Sequence, residues 1–180
     1  MNKVQQLIND VGIARKNFID LIEDVDQIKA VFKPSEDIWN LIDNTEHLFW
    51  AEQGGIYGMW KTLYAIRDGK ATRTYESEHK DWSIEKLIEQ TWKEKEQVPA
   101  VAAPRLGGTL IFWRYSFAGL QPLLKAFGQD LKDNELRLQA HPHPISGAMD
   151  FQQRLEFLAF HIRRHHLQVE NLLQIFRSHL

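Results

Sequence analysis

From Val4 to Phe32 the apolar residues Val4, Leu7, Ile8, Val11, Ala14, Phe18, Leu21, Ile22, Val25, Ile28 and Phe32 recur three or four apart almost without a break. This spacing matches the helical repeat and predicts one long amphipathic helix, which must lay its stripe against other helices. Lys33-Pro34-Ser35 stops it, and Ser35 followed by Glu36 and Asp37 supplies a hydroxyl cap and acids for the first turn of a second helix running to about Arg67. After Asp68-Gly69 a polar stretch, 70–80, leads to Asp81, read as the cap of a shorter helix through Trp82, Ile84, Leu87, Ile88 and Trp92. Pro99 to Gly108 breaks the chain. A third long helix is predicted from Thr109 to about Phe127, with Pro122 kinking it or splitting off its end. Gly128 to Gly147 reads as a loop with room for a short helical turn, and the last helix opens at Asp150 with Gln153 completing a capping box. Four long helices, one short one and no strand pattern predict an all-α bundle in a single domain, 1–180.

Composition narrows the chemistry. The 180 residues include no cysteine, which excludes disulfides, thiolate metal sites and cysteine nucleophiles; any thiol must arrive with a small molecule. A net charge of −2 gives no electrostatic case for nucleic acid. The first residues lack the apolar core of a signal peptide, and no apolar run reaches the ~20 residues of a membrane span. A soluble, cytoplasmic protein with no membrane partner is the expectation.

The last helix carries FHIRRHH, residues 160–166. At ~100° per residue, His165 falls inside the apolar stripe of Leu155, Leu158, Ile162, Val169, Leu172, Leu173 and Phe176, and His161 lies at its edge. His166 groups with Arg163 and Glu170 on a polar side and is expected to be exposed. Side chains four apart approach closely enough for two imidazoles to share one cation. They can equally be two hydrogen-bonded core histidines. A third ligand is available at His47, whose helix face holds Asn40, Asp43, Asn44, Ala51, Gly54 and Gly58 where a packed bundle would place leucines. The small residues leave room for a ligand or for close helix packing, and both readings stand at this level.

Other chemistries fail on spacing. Ile162 stands where HExxH needs its glutamate. A di-iron bundle needs Glu-x-x-His twice, and only Glu76 to His79 matches. No nucleophile elbow or phosphate loop is present. His141 and His143, flanked by prolines, are read as shaping their loop, and the six tryptophans as core or cleft wall.

DIWNLIDNTEHLFWAE (37–52), HPHPISG (141–147) and LEFLAFHIRRHHLQVENLL (155–173) together resemble the DinB/YfiT-like metalloproteins. The resemblance implies an up-down-down-up four-helix bundle holding one divalent transition metal, Zn, Ni, Co or Fe, on His47, His161 and His165, with Gln168 in support and with homodimers common. Phe160 and Leu167 are offered for such an interface or for a loop packing there, and Asp43 as the group that orients His47. The implied activity is a thiol-dependent S-transferase acting on small electrophiles with a low-molecular-weight thiol cosubstrate, in stress detoxification. A hydrolase using metal-bound hydroxide and a non-catalytic metal- or ligand-binding stress protein are the alternatives.

Overall fold

A computed structural model describes residues 1–72, 79–92 and 97–178; Glu76 of the single Glu-x-x-His match lies outside them. The described residues are helical with no strand, and they form the expected up-down-down-up bundle. Helix α1 spans Lys3–Leu21, α2 is the short Gln27–Ala30, α3 spans Leu41–Arg67 and α4 spans Ile84–Thr91. Helices α5 (Leu110–Ala118) and α6 (Leu120–Asp130) make up the third long segment, and α7 (Phe151–Ser178) closes the bundle. Helix α1 packs along α7, and α3 lies against α5, α6 and α7. Val11, Phe18, Ile56, Met59, Leu63, Phe117, Phe127 and Leu155 meet in the core between them.

The end of the first helix and the starts of the second and of α4 differ from the sequence reading, and each has a local cause. The first helix ends at Leu21 with no basic residue in its last turn, while Glu23 and Asp24 follow, so continuation would set acids against the negative end of the helix. Asp26 instead accepts from the Lys29 N–H and starts α2, which leaves Ile28 exposed although it fits the apolar period. The second helix begins at Leu41 and not near Ser35, because Asn40 and Asp43 form a reciprocal capping box. Residues 35–40 thereby remain a non-helical linker ahead of α3. The cap of α4 is Ser83; Asp81, expected there, has a positive φ of 66° in the preceding turn.

The third segment breaks at Gly119. Pro122 has no N–H for the carbonyl one turn earlier and its ring crowds that carbonyl, so the discontinuity falls on the turn before it. Helix α6 then continues to Asp130, past the expected end. Gly128, assigned to the loop by sequence, lies in this helix, where a Cβ would come within 2.6 Å of Ile8. The capping box of Asp150 and Gln153 is present as expected: the Gln153 N–H donates to Asp150 Oδ1 at 2.7 Å, and the Asp150 N–H donates to Gln153 Oε1 at 3.1 Å.

Candidate metal centre

The middle of α7 faces the first half of α3, and there His47, His161 and His165 meet. All three are buried, and one ring nitrogen of each lies within 4.8 Å of the others. His161 Nε2 stands between its partners, 3.0 Å from His47 Nε2 and 3.2 Å from His165 Nε2.

The other face of two of the rings fixes where the protons sit. His47 Nδ1 is 2.8 Å from the Ala102 carbonyl oxygen, which can only accept, so the proton is on Nδ1. The Asn44 side-chain NH2 donates to the carbonyls of Asn40 at 2.8 Å and Trp39 at 3.3 Å, which turns its Oδ1 toward His165 Nδ1 at 2.8 Å. His165 therefore also carries its proton on Nδ1. Both rings point an Nε2 lone pair at His161 Nε2, which has at most one proton to give. At least one lone pair thus faces another in a buried pocket, an arrangement that a cation bound between the three nitrogens relieves. These residues fit a divalent transition metal, with three neutral imidazole ligands and coordination positions left open.

Burial keeps the rings neutral. It pushes His47 below the usual histidine range, only partly offset by its bond to the Ala102 carbonyl. Burial also pushes His161 and His165 well below that range, reinforced at His161 by His165, His47, His143 and Arg164, and at His165 by His47 and Arg164. No proton has to leave before a metal enters.

The orienting groups differ from the expected one. Among the described residues Asp43 makes no hydrogen bond to His47: it completes the Asn40 capping box and pairs with Lys33 at 2.7 Å. His47 is instead held by the 99–107 loop, and that loop is held by Glu46. The Glu46 carboxylate is fully buried and accepts the N–H groups of Arg105 (2.8 Å), Leu106 (2.8 Å) and Gly107 (2.9 Å), together with the Trp50 indole N–H (3.1 Å). Burial opposes its ionisation, but these donors outweigh it and hold the carboxyl below its ordinary value. The 35–40 linker brings Trp39 over the centre, stacked on His165 with centroids 6.3 Å apart.

The histidines open onto a cleft of about 1000 Å³ walled by Trp39, Trp50, Trp92, Phe157 and the 97–104 and 141–145 loops. Gly54 and Gly58, read together from the sequence, separate here. A Cβ placed on Gly54 would meet nothing within 4 Å, and the residue lines the cleft, whereas a Cβ at Gly58 would strike the His141 ring at 2.6 Å. Room for a ligand and close packing are each right at one of the two. His143 shapes its loop as expected, accepting the N–H groups of Ile145 (3.2 Å) and Ser146 (3.1 Å) on Nδ1. Gln168 lines the cleft, His166 is half-buried where exposure was expected, Phe160 packs on the α4 cluster and Leu167 is exposed.

A pH prediction arises here for the metal-free protein. His141 is lowered to about 4 by burial and by Arg154, and His143 to about 3 by burial, Arg154 and His141; with the three clustered rings, five imidazoles stay neutral when folded. Unfolded, each takes a proton near pH ~6.5, so below that pH the unfolded state binds more protons and stability falls with pH. Asp150, raised to about 6 mainly by burial, and Glu52, raised by burial against the pull of Arg15, work in the opposite direction, as two groups against five. The melting temperature should drop between about pH 7 and about pH 5.5. A flat or rising melting temperature across that interval contradicts the assignment of neutral rings.

The family model described as the DinB superfamily matches residues 12–169. A sequence comparison with curated proteins finds no match. Among solved structures, a conserved protein from Enterococcus faecalis is similar at 13% identity and a TM-score of 0.55, covering 96% of this chain and 95% of that one. This likeness concerns the fold.

Proposed function

The chain belongs to the DinB superfamily, and from that membership and its three-histidine centre we propose a mononuclear metal-dependent enzyme, a thiol S-transferase acting on small electrophiles. The observation that carries the reading is the convergence of three neutral imidazoles on one point beside an aromatic-walled cleft. His47, His161 and His165 would hold the metal. A divalent cation there, left with its full charge by neutral ligands, supplies the acidification that turns a thiol or a water into a nucleophile near neutral pH.

The thiol reading follows from the family resemblance, and the chain's own residues are compatible with it. Asp37 is the one carboxylate among the described residues lining the cleft, and it is exposed, so no carboxylate general base stands beside the imidazoles there. A bound cation would supply that acidification for a thiol and for water alike, so the missing base leaves both nucleophiles open. The chain has no cysteine of its own, so the sulfur comes with a cosubstrate. Trp39, Trp50 and Trp92 line the cleft and give it an aromatic wall suited to the carbon skeleton of an electrophile. In the transfer a sulfur–carbon bond forms as the carbon–halogen or epoxide carbon–oxygen bond breaks, and the thiol proton passes to solvent or to the opened oxygen.

The test incubates metal-loaded protein with a chlorinated or an epoxide electrophile, with and without a panel of cellular thiols. Thioether product should form only when a thiol is present. Product forming equally well without one replaces this reading with hydrolysis by metal-bound hydroxide. No product in either arm leaves a metal- or ligand-binding protein without turnover.

A further inference from the structure

Two turns before His161 on the same face of α7, Arg154 lines the same cleft yet is 4% exposed. Its side chain has one polar partner among the described residues: Nη2 donates to His141 Nε2 at 2.7 Å. Its Nε and Nη1 are buried with no hydrogen-bond partner among those residues, and no carboxylate there pairs with it. The Phe157 ring, 5.8 Å from the guanidinium carbon, is its other neighbour of note. A guanidinium does not discharge at neutral pH, so a buried one without a counter-charge remains uncompensated.

His141 adds to the imbalance. Its Nε2 accepts from Arg154, which places its own proton on Nδ1, and that atom is also buried without a partner among the described residues. Two residues that line the cleft thus carry three donors with no acceptor among the described residues: Arg154 Nε and Nη1 and His141 Nδ1. Arg164 also lines the cleft, and Asp37 is the one acid among its described residues.

We propose that this part of the cleft is a binding subsite for the carboxylate of a small organic acid, recognised by Arg154 with His141 beside it. Planar guanidinium and planar carboxylate match in shape and charge. Seven residues of helix separate Arg154 from His161, a rise of about 10 Å. The acid that fits therefore carries its carboxylate at one end and extends toward the metal centre. The assignment rests on reading the cleft as a substrate site and needs no metal, and it gives the proposed transferase a substrate class: carboxylate-bearing electrophiles or thiols.

Because a carboxylate could bind a metal directly, the experiment uses chelator-treated protein and the His161→Ala variant. Benzoate and hexanoate are compared with benzamide and hexanamide, and with inorganic phosphate, by calorimetric titration. The acids should bind at least about tenfold more tightly than their amides, in the wild type and in His161→Ala alike. Arg154→Met should abolish the preference. Arg154→Lys keeps the charge without the planar fork, so it should weaken the acids several-fold while leaving them ahead of the amides; it decides the matter should the Met variant not fold. Equal binding of acid and amide, an unchanged preference in both Arg154 variants, or phosphate bound in place of the acids would each overturn the proposal. Loss of S-transfer together with intact acid binding would reject the proposed reaction and leave this subsite standing.

Discussion

His161→Ala should purify with only background metal where the wild-type protein carries about one transition-metal ion per chain, and any metal-dependent activity should disappear with it. The size of the effect follows from position. His161 Nε2 lies between the other two nitrogens, 3.0 Å from one and 3.2 Å from the other, so its removal leaves His47 and His165 as a bidentate remnant. Structural zinc sites with four ligands bind with about 10–16 kcal/mol, about 3 kcal/mol per ligand, so one lost imidazole weakens affinity on the order of hundredfold or more. His165→Ala should behave alike. The fold should survive, because His161 sits at the cleft and touches Phe157 and Trp92 but does not build the main apolar core. Elemental analysis of untagged protein gives the answer, and unchanged metal in both variants would remove the site.

Helical faces and spacing were enough to bring His47, His161 and His165 under consideration, because a face is a local property: i and i+4 on α7 bring two of the candidate histidines together, and the small polar face of α3 marks the third. The same locality explains the misplaced boundaries. Val25 and Ile28 keep the apolar period although the helix has ended, because periodicity does not register the acids that follow Leu21 or the competing cap at Asp26. What holds the three rings in place is less legible. The Ala102 carbonyl is main chain and has no sequence signature, and it reaches His47 across 55 residues. Asp43 carries the charge that made it the natural partner for a histidine, yet it lies on the capping turn, and the uncharged Asn44 beside it makes the contact to His165. Arg154 falls on the face of α7 that holds His161 and His165, but its lack of a counter-charge is a tertiary property that the helical period does not register.

Glu46→Ala should weaken metal binding about 10- to 100-fold without removing a ligand, the range found when groups that orient a ligand are lost. The effect passes through the 99–107 loop. Glu46 collects three successive main-chain N–H groups, those of Arg105, Leu106 and Gly107, and the Arg105 guanidinium lies 4.1 Å above the Trp50 ring, so the carboxylate and the indole together pin the loop against α3. That loop delivers the Ala102 carbonyl to His47 Nδ1 at 2.8 Å, which keeps the ring's lone pair on Nε2, aimed at the centre. Without Glu46 the three N–H groups must find water, the loop lifts, and His47 can turn or change tautomer. Glu46→Gln should fall between the two proteins, since its one carbonyl oxygen can still accept from some of the donors while its NH2 opposes the rest. Competition with a chelator of known affinity measures the metal term, and limited proteolysis of the loop measures its release. A loop that becomes cleavable in Glu46→Ala while metal affinity stays at the wild-type value would show that the Ala102 carbonyl does not orient His47.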